Sequence, residues 1–110
     1  MQIKLEIKKL EISAYQIPLT HGKFAIVSPR DYGRLMIHRW KAVKSDHCLY
    51  ALRTYVKNGH EHTIRMHREI TNCPPELEVH HRDHNSLNNR RENLIVCNHA
   101  QHQFFHNNGI

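Results

Sequence analysis

Apolar and polar residues alternate in several short stretches of the first half of the chain, which is the pattern of half-buried β-strands. Residues 1–12 place apolar side chains at a period of two, and residues 23–28 hold a short apolar run. Residues 49–56 and 62–66 are two further strand-like stretches, separated by a loop that contains Asn-Gly. Because Asn-Gly favours a tight two-residue turn, this pair predicts a β-hairpin.

Two short helices are predicted among these strands. The sequence SPRD at residues 28–31 is typical of a helix start, because proline suits the first turn and an acidic residue stabilises the N-terminal end of the dipole. Apolar residues then recur at helical spacing as far as Trp40. A second helix is predicted over residues 66–72, and the Pro-Pro pair that follows must end it. We expect Trp40 and Tyr50 to be core residues.

The last third of the chain has a different order of patterns. Residues 77–80 alternate as a strand does, residues 82–91 are polar and rich in Asn, and residues 94–97 (LIVC) are apolar. The segment NHAQ has the N-x-x-Q form of a capping box, so a helix should begin at Asn98. We therefore predict a strand, a loop, a second strand and a helix in that order.

Charge is divided unevenly along the chain. The length of 110 residues favours one compact domain. The formal net charge of +6 favours a polyanionic partner such as nucleic acid. Residues 1–59 contain eleven Lys and Arg against four Asp and Glu, whereas residues 60–110 contain five against six. Nine of the twelve histidines lie at or after His60. This division predicts an electrostatic grip in the first half and a histidine-bearing site in the second.

Cysteine spacing and hydropathy exclude several classes of protein. Cys48, Cys73 and Cys97 are odd in number and form no CxxC pair, which argues against a zinc ribbon and a disulfide framework. We expect reduced thiols. No apolar stretch approaches the roughly 18 residues of a transmembrane helix, and no signal peptide is recognisable. The expectation is a soluble intracellular protein that has no membrane partner.

The C-terminal histidines are placed at spacings that suit one shared site. His80 and His81 follow the predicted first strand, and His102 and His106 lie one turn apart on the predicted helix. His99 falls within about 60° of the same helical face, since each residue advances by about 100°. Imidazole serves both metal binding and acid–base chemistry near neutral pH. These residues therefore predict a metal or catalytic site.

Residues 77–106 resemble the HNH, or ββα-metal, endonuclease family. The paired His80 and His81, a central Asn93, and the helical His102 and His106 match the family pattern in order. The segments LNNRRENL and LTHGKFAIVSPRDYGRL are similar to sequences of free-standing phage and homing members. The resemblance implies an α+β fold in which a small antiparallel sheet packs on a C-terminal ββα-metal motif.

The same resemblance divides the single compact domain into two parts. Residues 1–76 would be a basic, β-rich scaffold that grips DNA, and residues 77–110 would be the nuclease motif. His81 would be the general base that takes a proton from the water attacking the scissile phosphate. Asn93 would pin the loop against the strand and orient the His81 ring.

One divalent metal ion is implied, held by His80, His102 and His106. Many phage-type members have Asp in place of His80 and Asn in place of His102. Imidazole ligands favour Zn²⁺, Ni²⁺, Co²⁺ or Mn²⁺ over Mg²⁺, so we expect a transition metal to bind tightest. Asp83 and His84 are expected to be solvated or to face DNA, and His99 to lie beside the metal or a phosphate.

Three arginines, Arg82, Arg90 and Arg91, are expected to contact DNA phosphates, because the guanidinium fork matches phosphate oxygens. For Arg90 and Arg91 a solvated loop is the alternative of equal weight. Contacts between basic side chains and DNA phosphates give an affinity that depends strongly on salt concentration and little on DNA sequence.

Together these features predict a metal-dependent endonuclease of double-stranded DNA in the cytoplasm of a bacterium or a phage-infected host. One site should nick one strand per protomer, in a monomer or a homodimer. Because the chain ends at Ile110, soon after the motif, we expect weak sequence specificity. The alternatives are a DNA-binding module with a structural metal, and a nuclease of RNA or branched DNA. The general base His81 favours an enzyme over the binding module.

Overall fold

The computed structural model describes residues 13–110, and the strand predicted over residues 1–12 lies outside the described residues. The predicted α+β class is confirmed. The strands are β1 (Tyr15–Pro18), β2 (Phe24–Val27), β3 (Lys41–Ser45), β4 (Cys48–Lys57), β5 (His60–Arg65), β6 (Glu78–His81), β7 (Asn88–Asn89) and β8 (Leu94–Cys97). The helices are α1 (Pro29–Met36), α2 (Met66–Thr71) and α3 (His99–Asn107), with 3₁₀ turns at Thr20–Gly22 and Arg91–Asn93.

The strands form three small sheets. β1, β2 and β7 make one sheet, β3, β4 and β5 make a second, and β6 pairs with β8 in a third. The N-terminal strands were predicted as one antiparallel sheet, but they are divided between the first two. The first sheet is mixed, because β7 runs parallel to β2 with Val27 opposite Asn89. β7 comes from the segment predicted to be an irregular loop, so the two halves of the chain share a sheet.

The predicted hairpin is confirmed as β4 and β5. Asn58 and Gly59 between them both have positive φ, at 54° and 76°, as a type I′ turn requires. Strand β3, which the sequence did not predict, pairs along the other side of β4. Its alternation is weak because Ala42 is the only buried residue among its five.

The core lies beneath α1 and between the first two sheets. It consists of Ile17, Ala25, Val27, Leu35, Trp40, Ala51, Met66 and Ile70. Trp40 is a core residue, as predicted, but the prediction that α1 continues to Trp40 is wrong. The helix ends at Met36, and the Trp40 indole Nε1 donates a hydrogen bond of 2.8 Å to the Leu35 carbonyl. That bond satisfies one of the carbonyls left free at a helix C-terminus.

The C-terminal part has the predicted order of strand, loop, strand and helix. β6 and β8 pair antiparallel, with His81 opposite Leu94. The capping box is confirmed, because Asn98 Oδ1 accepts from the Gln101 amide at 2.8 Å and Gln101 Oε1 accepts from the Asn98 amide at 2.9 Å. Within residues 13–110 none of the helices has the length and hydrophobicity that crossing a membrane requires. The three cysteines are unpaired.

Candidate active site

A cleft of about 520 Å³ opens between the C-terminal motif and the second sheet. One wall carries the histidines of β6 and α3, and the opposite wall carries Tyr50, Arg65 and His67. Tyr50, predicted to be in the core, is instead half-buried at this wall. The reason is that β4 turns this side chain towards the cleft, where the Arg65 guanidinium lies 4.4 Å from its ring centroid.

Three imidazoles on the first wall converge. The ligand nitrogens of His80, His102 and His106 all lie within 4.8 Å of one another. His80 is fully buried at the end of β6, whereas His106 on α3 is exposed. Burial lowers the pKa of His80 and of His106, and in each case the neighbouring His102 lowers it further. The low pKa values keep the rings of His80 and His106 neutral, which is the form that coordinates a metal.

A carboxylate on β6 orients one of these rings. Glu78 Oε1 accepts a hydrogen bond from His102 Nδ1 at 2.7 Å, and Glu78 Oε2 accepts one from His99 Nδ1 at 3.0 Å. The bonds from His102 and His99 lower the pKa of Glu78, which therefore stays charged. With Nδ1 protonated, His102 presents its Nε2 as the free ligand atom. A carboxylate behind a ligating histidine is the usual support of metal sites, so the residues fit a metal ion.

His81 is held apart from this cluster although it is adjacent to His80 in sequence. Successive strand residues point to opposite faces. The His81 ring is buried, and its Nε2 donates to Asn89 Oδ1 at 2.8 Å. An amide oxygen only accepts, so Nε2 carries the proton and Nδ1 remains the acceptor. Burial lowers the pKa of His81, while the Asn89 bond opposes that shift.

A second buried histidine packs against His81. The rings of His67 and His81 meet edge to face, with centroids 5.3 Å apart. Burial, and then the nearby His81, lower the pKa of His67 to about 3. His67 is therefore neutral at physiological pH and serves as a packing wall for the His81 ring.

The loop before β8 is closed by a network of side chains around Asp83. The Asp83 carboxylate accepts from Asn88 Nδ2 at 2.7 Å and from Asn93 Nδ2 at 2.9 Å. Asn93 Oδ1 in turn accepts from the Asp83 amide at 3.0 Å. Burial raises the pKa of Asp83, but these hydrogen bonds outweigh it and the net shift is downward. Asp83 is exposed, as expected of a solvated residue, and its carboxylate also holds the loop closed.

Asn93 pins this loop but does not touch His81. Its Nδ2 also donates to the Asn88 carbonyl at 2.8 Å. The residue that orients the His81 ring by a hydrogen bond is Asn89, four residues before Asn93. The sequence signal for Asn89 was weak, because it is one of several asparagines in a polar segment without periodicity.

Comparison with known families decides the nature of this motif. Residues 69–104 match the family described as HNH endonuclease. The C-terminal motif is therefore similar to that family. The match covers about a third of the chain and includes His80, His81, Asn93 and His102. The searches of curated proteins and of solved structures found no match.

Similarity to the HNH endonuclease family over residues 69–104 suggests a nuclease with a nucleic-acid substrate. The histidine cluster agrees with the metal dependence typical of that family. His106 lies just beyond the matched segment, so its place beside His80 and His102 comes from the fold of α3.

Two of the arginines expected at DNA already have partners in the protein. The Arg91 guanidinium donates twice to the Asp31 carboxylate, from Nε and from Nη2, each at 2.8 Å. Arg91 thereby docks the HNH loop on α1, and its contact with DNA stays a prediction. Arg90 donates to Asn88 Oδ1 at 3.1 Å and lies 3.3 Å from Glu92. Arg82, at the start of the loop, is exposed.

Three functional candidates were missed in the sequence: Glu78, Asn89 and His67. A carboxylate three residues before His81 on a strand carries no distinctive spacing. His67 lies in the helix predicted over residues 66–72, and its contact with His81 depends on how α2 packs.

Proposed function

We propose that this protein is a metal-dependent endonuclease that hydrolyses phosphodiester bonds of double-stranded DNA, nicking one strand per protomer. The observation that carries the proposal is that a single cleft holds two kinds of histidine. One is a buried, neutral imidazole with a fixed tautomer, His81. The others, which line the same cleft, form a cluster of three convergent imidazoles.

His81 is suited to be the general base. The bond to Asn89 fixes the proton on Nε2, so Nδ1 is the nitrogen that accepts a proton from the attacking water. A pKa below the ordinary value leaves this nitrogen unprotonated at neutral pH. Packing against His67 limits rotation of the ring, which keeps the base aimed in one direction.

His80, His102 and His106 are suited to hold the metal, with Glu78 fixing the His102 ring. A divalent ion bound there would supply Lewis-acid stabilisation of the phosphate and of the leaving 3′ oxygen. The all-imidazole set favours Zn²⁺, Ni²⁺, Co²⁺ or Mn²⁺ over Mg²⁺.

The wall opposite the cluster is suited to bind the DNA backbone. Arg65 lines the cleft and stacks on Tyr50, and no carboxylate is paired with its guanidinium among the described residues. Arg82 is exposed at the rim of the HNH loop. Together with the exposed lysines of β3 and β4, these cations would grip phosphates with little regard to sequence.

A supercoiled-plasmid assay tests the proposal. Wild-type protein is incubated separately with Mg²⁺, Mn²⁺, Co²⁺, Ni²⁺ and Zn²⁺, and with excess chelator. We expect open-circular product with at least one transition metal, and none with chelator. His62→Ala, which removes an exposed histidine on the distant hairpin, should cut as well as wild type. Intact plasmid with every metal, despite retained DNA binding, would favour a non-catalytic DNA-binding module.

A further inference from the structure

A fourth histidine lies against the cluster. His84 is exposed on the turn after β6, and its ring centroid is 5.4 Å from that of His80 and 5.3 Å from that of His106. The sequence predicts that this residue is solvated or faces DNA. Its position is set by Asp83, whose carboxylate accepts from the Asn85 amide at 2.9 Å and closes the turn.

The ring nitrogens of His84 and His80 are directed at the same point. His80 Nε2 lies 2.7 Å from the Ile110 carbonyl oxygen, and His84 Nε2 lies 3.1 Å from the same oxygen. Because both nitrogens point at one atom, they could also point at a single metal ion in that position. The ligand nitrogens of His80, His102 and His106 lie within 4.8 Å of one another, and His84 is not part of that group. The His84 side chain would therefore have to move towards them to bind the same ion.

We propose that His84 is the fourth ligand of the metal bound by His80, His102 and His106. The proposal rests on the metal site of the proposed function and adds a ligand to it. Four imidazole nitrogens match the coordination number that zinc prefers, and they disfavour Mg²⁺ further. His84 therefore has to leave the ion before a phosphate oxygen can bind there. His80 and His84 would exchange the Ile110 main-chain oxygen for the ion. Because His84 is on an exposed turn, whereas His80 is buried, it is the ligand most free to move on and off.

The experiment compares His84→Gly with His47→Gly. His84 and His47 are both exposed turn residues with positive φ, 63° and 72°, so glycine suits both backbones equally. Only His84 is near the cluster. Zn²⁺ affinity is measured by calorimetry with the metal alone, and two-bond ¹H–¹⁵N spectra of the histidine rings are recorded before and after one equivalent of Zn²⁺.

We expect His84→Gly to weaken Zn²⁺ binding by at least about tenfold, the scale of losing a supporting group at a metal site, and His47→Gly to leave it unchanged. In wild type, a ring nitrogen of His84 should show the shift of direct ligation together with those of the other three. Equal affinity in both variants, or a His84 signal that Zn²⁺ does not move, would overturn the proposal. Neither readout depends on DNA cleavage. The plasmid assay tests the proposed endonuclease activity, and the Zn²⁺ measurements test His84 as a ligand.

Discussion

His80 and His81 are neighbours on β6, yet they belong to two regions built in different ways. The region around His80 is assembled within the last third of the chain, from β6 and one face of α3, and it is partly open to solvent. The region around His81 is buried, and it depends on residues from both halves: Asn89 lies on β7, which is paired with β2.

This difference shows that the N-terminal part supports the loop of the HNH motif. β2 holds β7 in register, and α1 holds the HNH loop through Asp31 and Arg91. The N-terminal part therefore supports the proposed base, His81, through Asn89. The metal cluster depends much less on the N-terminal part. Mutations in the two regions should separate cleavage from metal binding.

The largest effect is expected from Asn89→Leu, which removes the acceptor for His81 Nε2. Within residues 13–110, Asn89 Nδ2 is the one buried side-chain polar atom without a hydrogen-bond partner, so losing it costs little. The buried His81 Nε2 loses its acceptor, however, so the free energy of unfolding should fall by about 1–3 kcal/mol. Strand cleavage should fall by about 100-fold, because the base loses its fixed orientation. Single-turnover cleavage and Mn²⁺ calorimetry measure the two properties.

Asn89→Asp is the matched variant, since it keeps an oxygen acceptor for the ring and should cut faster than Asn89→Leu. If the leucine variant cut as fast as wild type, or if its metal affinity fell in parallel with cleavage, the separation of the two regions would be wrong.

A smaller effect is expected from Asp31→Asn, which breaks the docking of α1 on the HNH loop. Asp31 is buried and accepts from both Arg91 and Arg34. Loss of its charge should reduce the free energy of unfolding by about 2 kcal/mol. Urea denaturation measures this loss, and Asp46→Asn, at an exposed turn, should show almost none.

The Asp31 effect should also depend on pH. Burial raises the pKa of Asp31, but the hydrogen bonds from Arg91 and Arg34 outweigh it and the pKa is lowered. The carboxylate therefore stabilises the fold above its unfolded pKa of about 4, and this stabilisation is lost as pH falls through the lower folded value. Wild type and Asp31→Asn should converge in stability at strongly acidic pH. A difference that persists there would point to packing and not to charge.

The smallest of these effects is expected from Glu78→Gln on the metal side. The variant keeps an oxygen for His102 Nδ1 but loses the charge that supports the ring. Mn²⁺ affinity should fall by about tenfold, and cleavage at saturating Mn²⁺ should be almost restored. Glu76→Gln, two residues earlier and exposed, is the control. Affinity that is unchanged in Glu78→Gln would leave the carboxylate without a role at the metal.

The sequence predicted the metal region better than the base region, and the reason is the range of the contacts. His102 and His106 share a helix face, and the capping box placed the start of that helix, so local periodicity was sufficient. The partner of His81 was misassigned to Asn93, because the pairing of β7 with β2 joins residues about 60 positions apart. Hydrophobic pattern does not encode a two-residue strand made of asparagines.

The central claim is that one histidine acts on water while its neighbours hold the metal. It is tested most directly by comparing His81→Ala with His102→Ala in single-turnover plasmid cleavage over a range of Mn²⁺ concentrations. We predict that His81→Ala binds Mn²⁺ as wild type does but cuts at least about 100-fold more slowly at every concentration. His102→Ala should bind Mn²⁺ more weakly and regain cleavage as the concentration rises. The reverse pattern, with metal rescuing His81→Ala but not His102→Ala, would contradict the account.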